Sequence, residues 1–452
     1  MRIELIISFM VSVSIFGQNI SGDWRGEMDI QGNKLRLSFE IKEDSLGYTA
    51  TMAVPQQNLS DLEMERVVFM DSILTISMPP MNMKYSGRLI NGNQIDGQFE
   101  QNGIKLPLSL TKGGNGYRRP QEPIPPYDYV SREVMFENQI DNIVLSGTLT
   151  IPKSSSAYPV IIIVGGSGPQ NRDGQMFAHK PYLVISDYLT KNRIGTFRYD
   201  ERGVGNSEGD LASVGFDEQV NDLDAAIDFI KKNSGMNPSS VGVIGHSLGG
   251  ILATDVAVKR TDIDFIVLMA SPGVNGKQLL LSQKAVIEKK MGAPNESVQK
   301  GQEIFGGVYD IIIRNERDTA SKDSIYSYLG KKMGKDLSKE QITSIADQLT
   351  SPEITGILRS RPSELLEKLN CPVLAINGSN DLQVDPKENL SAIEIALSRG
   401  GNKDFKVMEL QGLNHLFQES NTGLPNEYSE LEQTISPKAL EIITEWIRNR
   451  AK

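Results

Sequence analysis

A serine flanked by closely spaced glycines lies in the segment "VGVIGHSLGGILA", residues 241–253. Gly245 and Gly249 stand two positions before and two positions after Ser247, which is the G-x-S-x-G spacing. The residues before it are apolar and β-branched, as in a buried strand, and those after it follow a helical pattern. A sharp strand-to-helix turn of this kind exposes a serine hydroxyl for nucleophilic attack. A chain with 41 glycines can also contain this spacing by chance, with Ser247 a simple turn residue, but the flanking elements favour a nucleophile.

A nucleophilic serine needs a base within hydrogen-bond reach, and the chain has only three histidines. His415 lies in "LQGLNHLF", just beyond the predicted strand "DFKVMEL", where a base is expected. His246 adjoins Ser247 on a turn that points successive side chains apart, so we expect it to pack or to line the pocket. His179 follows "PVIIIVGG" in a long loop, and we expect a structural or pocket-lining role for it.

The base in turn needs a carboxylate that orients it. "CPVLAINGSNDLQVDP" supplies Asp381 directly after a predicted strand and a Gly-Ser-Asn turn. Asp385 is the rival, one turn further along and followed by proline. Asp381 is preferred because it is closer to the strand end. An Asx-turn that merely closes the loop is the alternative interpretation.

Fixed N–H donors must stabilise the negative charge of a tetrahedral intermediate. One candidate is the backbone N–H of Leu248, next to the serine and near a helix N-terminus. The second should come from the loop "GGSGPQNRDG", in which Ser167 is the preferred donor and Gly166 the next. This loop could also cradle a phosphate, but it lacks both the G-x-x-x-x-G-K-[ST] and the G-x-G-x-x-G patterns.

These residues need a scaffold that brings strand ends together. From residue 130 to 452, apolar strands such as "PVIIIVGG", "RIGTFRYD" and "CPVLAING" alternate with helical stretches. With an initial β-hairpin, this pattern predicts an α/β fold with eight strands in a mostly parallel sheet, whose carboxyl strand ends gather the catalytic groups. Residues 274–367 are too long for a crossover and mostly helical by pattern, so they predict an inserted cap.

The first 130 residues have a different organisation. Residues 1–18 begin with a basic residue and an apolar stretch of secretory-signal length, although a buried N-terminal strand is the alternative. Residues 19–113 carry short alternating stretches, which predict a small antiparallel β-barrel or sandwich. Trp24 is expected in its core rather than at a sugar-binding surface. Residues 114–129 are rich in glycine and proline and predict an exposed linker.

Residues 130–452 resemble the α/β-hydrolase fold. "GHSLGG" resembles its nucleophile elbow, "GSNDLQV" its acid turn and "LNHLF" its base loop, in the chain order Ser, Asp, His. "RYDERGVGNSEG" is similar to a stretch common after the fourth strand, in which we expect Asp200 and Arg202 to form a buried ion pair that ties loops together. "GGSGPQNRDG", beginning at Gly165, replaces the more usual His-Gly of the oxyanion loop.

With its N-terminal β module, the chain resembles a group of bacterial serine esterases and S33-type hydrolases. The resemblance implies hydrolysis of small carboxylic esters, with Ser247, Asp381 and His415 as the catalytic triad. A peptidase or amidase with the same triad is the alternative chemistry. A binding protein on a hydrolase scaffold is the alternative of another class, because fold alone does not establish activity.

Composition narrows the partners and the compartment. The net charge of −10 disfavours a nucleic-acid partner, because no basic surplus can neutralise phosphates. No metal site and no organic cofactor are expected, because no H-E-x-x-H motif or cysteine cluster occurs. The single cysteine, Cys371, predicts a buried hydrophobe rather than a nucleophile. The signal segment predicts a secreted or periplasmic protein without membrane insertion after its removal. Acyl and alcohol specificity and oligomeric state, a homo-oligomer included, stay open.

Overall fold

The chain divides into two compact units, residues 1–117 and residues 118–452. The computed structural model describes residues 19–30, 33–45, 47–113, 118–153, 157–211, 214–232, 238–315 and 318–450. The expected signal segment, residues 1–18, lies outside the described residues. Within the described ranges, no helix combines the length and apolarity needed to cross a membrane.

The first unit is one curved antiparallel sheet, a half-barrel, in the order β4-β3-β2-β1-β9-β8-β7-β6-β5. Its described strands are Gly22–Ile30 (β1), Asn33–Asp44 (β2), Gly47–Val54 (β3), Leu59–Glu63 (β4), Arg66–Met70 (β5), Ile73–Met78 (β6), Met83–Asn91 (β7), Gln94–Gln101 (β8) and Ile104–Lys112 (β9). Alternate residues point to one core, as the period of two predicts. Trp24 is fully buried there and donates its Nε1–H to the Ile20 carbonyl at 2.6 Å.

The second unit contains the expected eight-stranded sheet, so the predicted fold class is confirmed. Its described strands are Val130–Asn138 (β10), Ile143–Ile151 (β11), Tyr158–Val164 (β12), Gly195–Tyr199 (β13), Pro238–His246 (β14), Phe265–Met269 (β15), Val373–Gly378 (β16) and Phe405–Leu410 (β17). The spatial order is β10-β11-β13-β12-β14-β15-β16-β17, and all neighbours from β13 to β17 are parallel. The central strands are buried on both faces, which explains their continuous apolar sequences.

Helices cover both faces of this sheet and form the insertion. The described helices are Pro181–Lys191 (α1), Phe216–Lys232 (α2), Leu248–Lys259 (α3), Gly276–Lys290 (α4), Asn295–Arg314 (α5), Asp318–Met333 (α6), Lys339–Leu349 (α7), Pro352–Arg359 (α8), Pro362–Leu366 (α9), Pro386–Arg399 (α10), Pro425–Tyr428 (α11) and Pro437–Arg448 (α12). One face packs against α2, α3 and α10, and the other against α1 and α12. Helices α4 to α9 all lie between β15 and β16, so the insertion interrupts a single crossover.

The segment before β10 makes hydrogen bonds that its sequence did not indicate. Arg119, itself part of the second unit, donates to the backbone carbonyls of Ala178, Ser429 and Leu431 at 2.7–2.9 Å. Gln121 donates to the Ile435 carbonyl at 2.7 Å. Ile124 and several neighbours are exposed, whereas Arg119 and Gln121 are half-buried and satisfy carbonyls of a distant loop. The linker assignment stays a prediction.

Candidate active site

The turn between β14 and α3 has the geometry of a nucleophile elbow. Ser247 has φ 54° and ψ −123°, a backbone conformation that non-glycine residues rarely adopt. A Cβ atom on Gly245 would lie 2.3 Å from the Gly249 carbonyl oxygen, and one on Gly249 would lie 2.3 Å from the Gly165 carbonyl oxygen. Both positions therefore require glycine. Strained residues of this kind persist only where the surrounding structure maintains them, and they cluster at functional sites.

His415 and Asp381 form a buried pair at the carboxyl edge of the same sheet. His415 Nδ1 lies 2.8 Å from Asp381 Oδ2, and the two residues are 5% and 2% exposed. The other carboxylate oxygen, Oδ1, accepts the backbone N–H groups of Gln383 and Val384 at 2.8 and 3.0 Å. Asp381 therefore closes its own turn with one oxygen and contacts the imidazole with the other. This arrangement makes Nδ1 the donor and leaves Nε2 as the basic nitrogen.

His246 connects the elbow with the loop that carries His415. Its ring lies 4.9 Å from the His415 ring between centroids, and its Nε2–H donates to the His415 carbonyl at 3.0 Å. Its Nδ1 accepts the Tyr182 hydroxyl at 3.2 Å. Burial lowers the pKa of His246 to about 3, with the neighbouring His415 acting in the same direction. His246 is therefore a neutral packing residue that links the residue before Ser247 to the base loop.

The loop after β12 lies directly against Ser247. A Cβ atom on Gly166 would lie 2.9 Å from Ser247 Cβ and 3.5 Å from Ser247 Oγ, so this residue approaches the serine as only glycine can. Leu248 is the first residue of α3, and its N–H belongs to the free first turn of that helix. Ser167 follows Gly166, and its carbonyl accepts the Gln170 side-chain amide at 3.2 Å. The role of the Ser167 and Leu248 N–H groups stays a prediction.

Comparisons with known proteins agree with this architecture. The family model described as "Serine aminopeptidase, S33" matches residues 179–319, which include the elbow. Esterase EstD of Thermotoga maritima is 26% identical over 322 residues, which are 71% of this chain and 69% of the relative. An uncharacterized 31.7 kDa protein of Escherichia coli, from the traX-finO intergenic region, is 24% identical over 260 residues, 56% of this chain and 82% of the relative.

The second unit has the α/β-hydrolase fold. Among solved structures, the chain is similar to the Pyrococcus furiosus esterase Pf2001, with 15% identity, a TM-score of 0.43 and coverage of 72% of this chain and 94% of that one. It is also similar to Est1E of Butyrivibrio proteoclasticus in complex with ferulic acid, with 16% identity, a TM-score of 0.39 and coverage of 70% and 96%. The family model and the esterase relative of Thermotoga maritima confirm the resemblance drawn from the sequence motifs.

The other histidine of this α/β-hydrolase has a structural position. His179 is fully buried. Its Nε2 lies 2.9 Å from both the Tyr428 carbonyl oxygen and the Gln418 amide nitrogen, and its Nδ1 lies 2.9 Å from the Thr434 hydroxyl. Burial lowers its pKa to about 4, and the positive charge of Arg119 contributes in the same direction. The residue ties the loop after β12 to the segment around α11.

The rival carboxylate has a different task. Asp385 is the N-cap of α10, and its Oδ1 accepts the Glu388 N–H at 2.9 Å. Ser, Thr, Asn and Asp at this position satisfy free N–H groups of the first helical turn. The proline that follows Asp385 is the first residue of that helix, a signal that the sequence already carried.

The expected ion pair between Asp200 and Arg202 is wrong in its partners. Asp200 pairs with Arg172, whose Nη2 lies 2.7 Å from Oδ2. Arg202 instead contacts both oxygens of Asp222 at 2.7 Å and reaches Asp141 at 2.6 Å. The two residues stand two positions apart and point to different neighbours, so each ties a separate loop. Although burial opposes it, the bonds from Arg172 lower the pKa of Asp200.

An apolar cluster covers the residue that follows the serine. Leu248 belongs to one buried group together with residues of α3, the insertion and the loop after Asp381; its members are Leu248, Ile251, Val274, Leu279, Ile357 and Val384. The insertion is therefore packed over the elbow. Water exclusion at such a site strengthens the electrostatic interactions inside it.

Sequence reasoning did not find one contact of the loop after β12. The Gly168 N–H donates to Glu353 Oε1 at 2.7 Å, and Glu353 lies in α8 of the insertion, 185 positions away. The segment "SPE" at residues 351–353 indicates a helix start, but nothing local indicates the partner.

Among the described side chains, no group of three His, Cys, Asp or Glu could hold a metal ion. Burial raises the pKa of Cys371 to about 12, which makes it a poor nucleophile.

Proposed function

We propose that this α/β-hydrolase cleaves small carboxylic esters through an acyl-enzyme on Ser247, with His415 as base and Asp381 as the orienting acid. The observation that carries the proposal is the buried 2.8 Å contact between His415 Nδ1 and Asp381 Oδ2. This pair is connected to the elbow of Ser247 through His246. The esterase relative from Thermotoga maritima supports ester hydrolysis as the chemistry.

The proposed reaction follows from the roles of these groups. His415 Nε2 takes the proton from Ser247 Oγ while Oγ forms a bond to the ester carbonyl carbon. The backbone N–H groups of Ser167 and Leu248 stabilise the oxyanion that results. His415 then gives its proton to the departing alcohol, and the ester C–O bond breaks to leave the acyl-enzyme. Water activated by the same base attacks the acyl carbon, and the acid leaves as Ser247 recovers its proton.

Asp381 has two effects in this scheme. Its Oδ2 accepts the Nδ1–H of His415 and thereby selects the tautomer in which Nε2 is basic. Its negative charge stabilises the imidazolium that forms in each half-reaction. The mechanism uses no metal and no organic cofactor.

A peptidase or amidase is the second candidate, favoured by the serine aminopeptidase family model that matches residues 179–319. The same triad would act on an amide carbonyl, with His415 protonating the departing amine instead of an alcohol. The two chemistries differ in the leaving group, and kinetics with matched esters and anilides separate them.

We further propose that the mature protein is secreted or periplasmic. The support is the sequence of residues 1–18, with a basic start followed by an apolar stretch. Expression of the full chain, cell fractionation and N-terminal sequencing test the proposal. A cytoplasmic protein that retains its first residues would contradict it.

The test of the proposed activity is turnover of p-nitrophenyl acetate, butyrate and octanoate by the wild type and by Ser247→Ala. We expect turnover in the wild type and a loss of about 10⁴-fold or more in the variant. Ser398→Ala, an exposed serine in α10, is the matched control and should retain full activity. Labelling by a fluorophosphonate probe should follow the same pattern.

Three results would contradict parts of this proposal. Turnover of peptide p-nitroanilides without ester turnover would favour the peptidase. Full activity in Ser247→Ala would exclude this serine as the nucleophile. Absence of both turnover and fluorophosphonate labelling in the wild type would favour a binding protein on a hydrolase scaffold.

A further inference from the structure

Two carboxylates contact the loop that faces Ser247. Glu353 Oε1 accepts the Gly168 N–H at 2.7 Å, and Glu201 Oε2 accepts the Gln170 N–H at 3.0 Å. Glu201 directly follows Asp200 after β13, whereas Glu353 belongs to the inserted helices. Burial raises the pKa of Glu201 well above its usual range, and the neighbouring Glu353 acts in the same direction. The loop is thus attached both to the sheet scaffold and to the insertion.

The Glu353 contact fixes one particular peptide unit. The N–H of Gly168 and the carbonyl of Ser167 belong to the same planar peptide. Its N–H end donates to Glu353, and its carbonyl end accepts the Gln170 side-chain amide at 3.2 Å. With both polar ends bonded, the plane of this peptide is set. The neighbouring peptide, which carries the Ser167 N–H, shares the Ser167 Cα and is constrained with it.

The loop cannot keep this geometry by itself. Gly168 has φ +83°, and Gly165 and Gly166 add two more residues with wide conformational freedom. Gly166 must nevertheless approach Ser247 closely, because a Cβ atom on it would lie 2.9 Å from Ser247 Cβ. External contacts therefore have to compensate for the freedom of a glycine-rich segment.

Helix α8 is firmly seated where it presents Glu353. Ser351 caps the helix, and its side chain accepts the Ile354 N–H. Ile357 is buried in the same apolar cluster as Leu248, and a Cβ atom on Gly276 would lie 1.8 Å from the Ile357 carbonyl oxygen. Leu248 and Ser167 carry the two proposed oxyanion donors. Helix α8 contacts the surroundings of both, because it packs into the cluster around Leu248 and accepts a hydrogen bond from the loop that carries Ser167.

We propose that Glu353 is a positioning residue for the oxyanion hole, through which the inserted helices orient the Ser167–Gly168 peptide. This inference rests on the proposed function. The carboxylate does not contact the reacting atoms; it acts through the backbone of the loop. Removal of the side chain releases the Gly168 N–H and frees the peptide to rotate. Ground-state binding of substrate should change little, while stabilisation of the tetrahedral oxyanion is lost.

The experiment compares Glu353→Ala, Glu353→Gln and Glu340→Ala with the wild type. Glu340 is a matched control, because it is also the second residue of an inserted helix with a serine cap and is exposed. The measurements are kcat and KM for p-nitrophenyl butyrate and the inhibition constant of an alkyl trifluoromethyl ketone, whose adduct with serine carries an oxyanion. Active sites are counted by fluorophosphonate titration, so each kcat refers to folded, reactive enzyme.

We expect Glu353→Ala to lower kcat by about 10- to 100-fold, with KM changed less than about threefold. Affinity for the trifluoromethyl ketone should fall by a similar factor. Glu353→Gln should recover most of the activity, because its amide oxygen can accept the same N–H. Glu340→Ala should match the wild type.

Unchanged kcat per titrated site in Glu353→Ala would overturn the inference, even if the variant were less stable. A loss confined to KM would also overturn it, because a substrate-binding role predicts that pattern. Glu353→Gln as impaired as Glu353→Ala would likewise overturn it, because the charge and not this hydrogen bond would then be responsible. Failure of the proposed function is recognised separately, since the wild type itself would then be neither active nor labelled.

Discussion

Two histidine environments lie in the same α/β-hydrolase unit, and they differ in one chemical feature. His415 and His179 are both buried, and each ring makes hydrogen bonds within the protein. The Nδ1 of His415 faces the carboxylate of Asp381, whereas His179 contacts a hydroxyl and a backbone carbonyl. The carboxylate carries a full negative charge that stabilises an imidazolium, whereas these partners of His179 carry no net charge.

The comparison shows that burial alone does not indicate function. Burial lowers the pKa of His179 to about 4, which keeps the ring neutral in the packed core. Both nitrogens of this ring are occupied within the protein. His415 keeps Nε2 as a basic nitrogen at the edge where Ser247 lies. The group that faces Nδ1, a carboxylate in one case and a hydroxyl in the other, therefore distinguishes the candidate base from the structural histidine.

The largest expected effect separates the two histidines directly. His415→Ala should lower kcat for p-nitrophenyl butyrate by about 10⁴-fold or more, because it removes the proposed base for the Ser247 proton. His179→Ala should stay within about tenfold of the wild type per titrated site, because it removes only structural bonds. Steady-state kinetics with both variants make the measurement. Equal losses in the two variants would break the comparison.

The next effect separates the two carboxylates after β16. Asp381→Asn should lower kcat by about 10³- to 10⁴-fold, because an amide neither selects the active tautomer nor stabilises the imidazolium. Asp385→Asn is the control; asparagine caps helices as well as aspartate does, so activity and stability should be retained. A larger kinetic loss in Asp385→Asn than in Asp381→Asn would show that Asp385, and not Asp381, is the orienting acid.

The pH dependence of stability should report His179. Its pKa is about 4 in the folded chain and about 6.5 in the unfolded chain, so between these values the unfolded chain binds the extra proton. The contribution is complete above pH 6.5 and is lost as the pH falls toward 4. The difference in unfolding free energy between wild type and His179→Gln should therefore shrink by about 3 kcal/mol over this window. Urea titrations at several pH values measure it, and a constant difference would contradict it.

The smallest effect concerns the hydroxyl partner of His179. Thr434→Val removes the hydroxyl partner of the buried Nδ1 and should lower the free energy of unfolding by about 1–2 kcal/mol. Thr343→Val, on the exposed side of α7, is the control and should change stability by less than about 0.5 kcal/mol. Turnover per active site should stay the same in both. A fall in kcat specific to Thr434→Val would connect His179 to catalysis and weaken the contrast with His415.

Local sequence determined much of the scaffold because its signals are local. The apolar strand before Ser247, the two flanking glycines and the helix after them define the elbow within 13 residues. Asp381 and His415 could be selected because each follows a strand, and the carboxyl ends of parallel strands meet at one edge of a sheet. The proline after Asp385 likewise indicated a helix start, which is the position that Asp385 occupies.

Only the tertiary structure decided which distant side chains meet. The sequence predicted a buried ion pair for Arg202, but its partner is Asp222 in α2 and not the nearby Asp200. Arg119 looked like part of a linker and instead contacts carbonyls more than 300 positions away. The contact between Glu353 and Gly168 spans 185 positions and has no local signature. Strand and turn preferences act between neighbours in the chain and can therefore be predicted from it. The distant pairs form because packing of the insertion and the loops brings together buried polar groups, which must satisfy each other's hydrogen bonds.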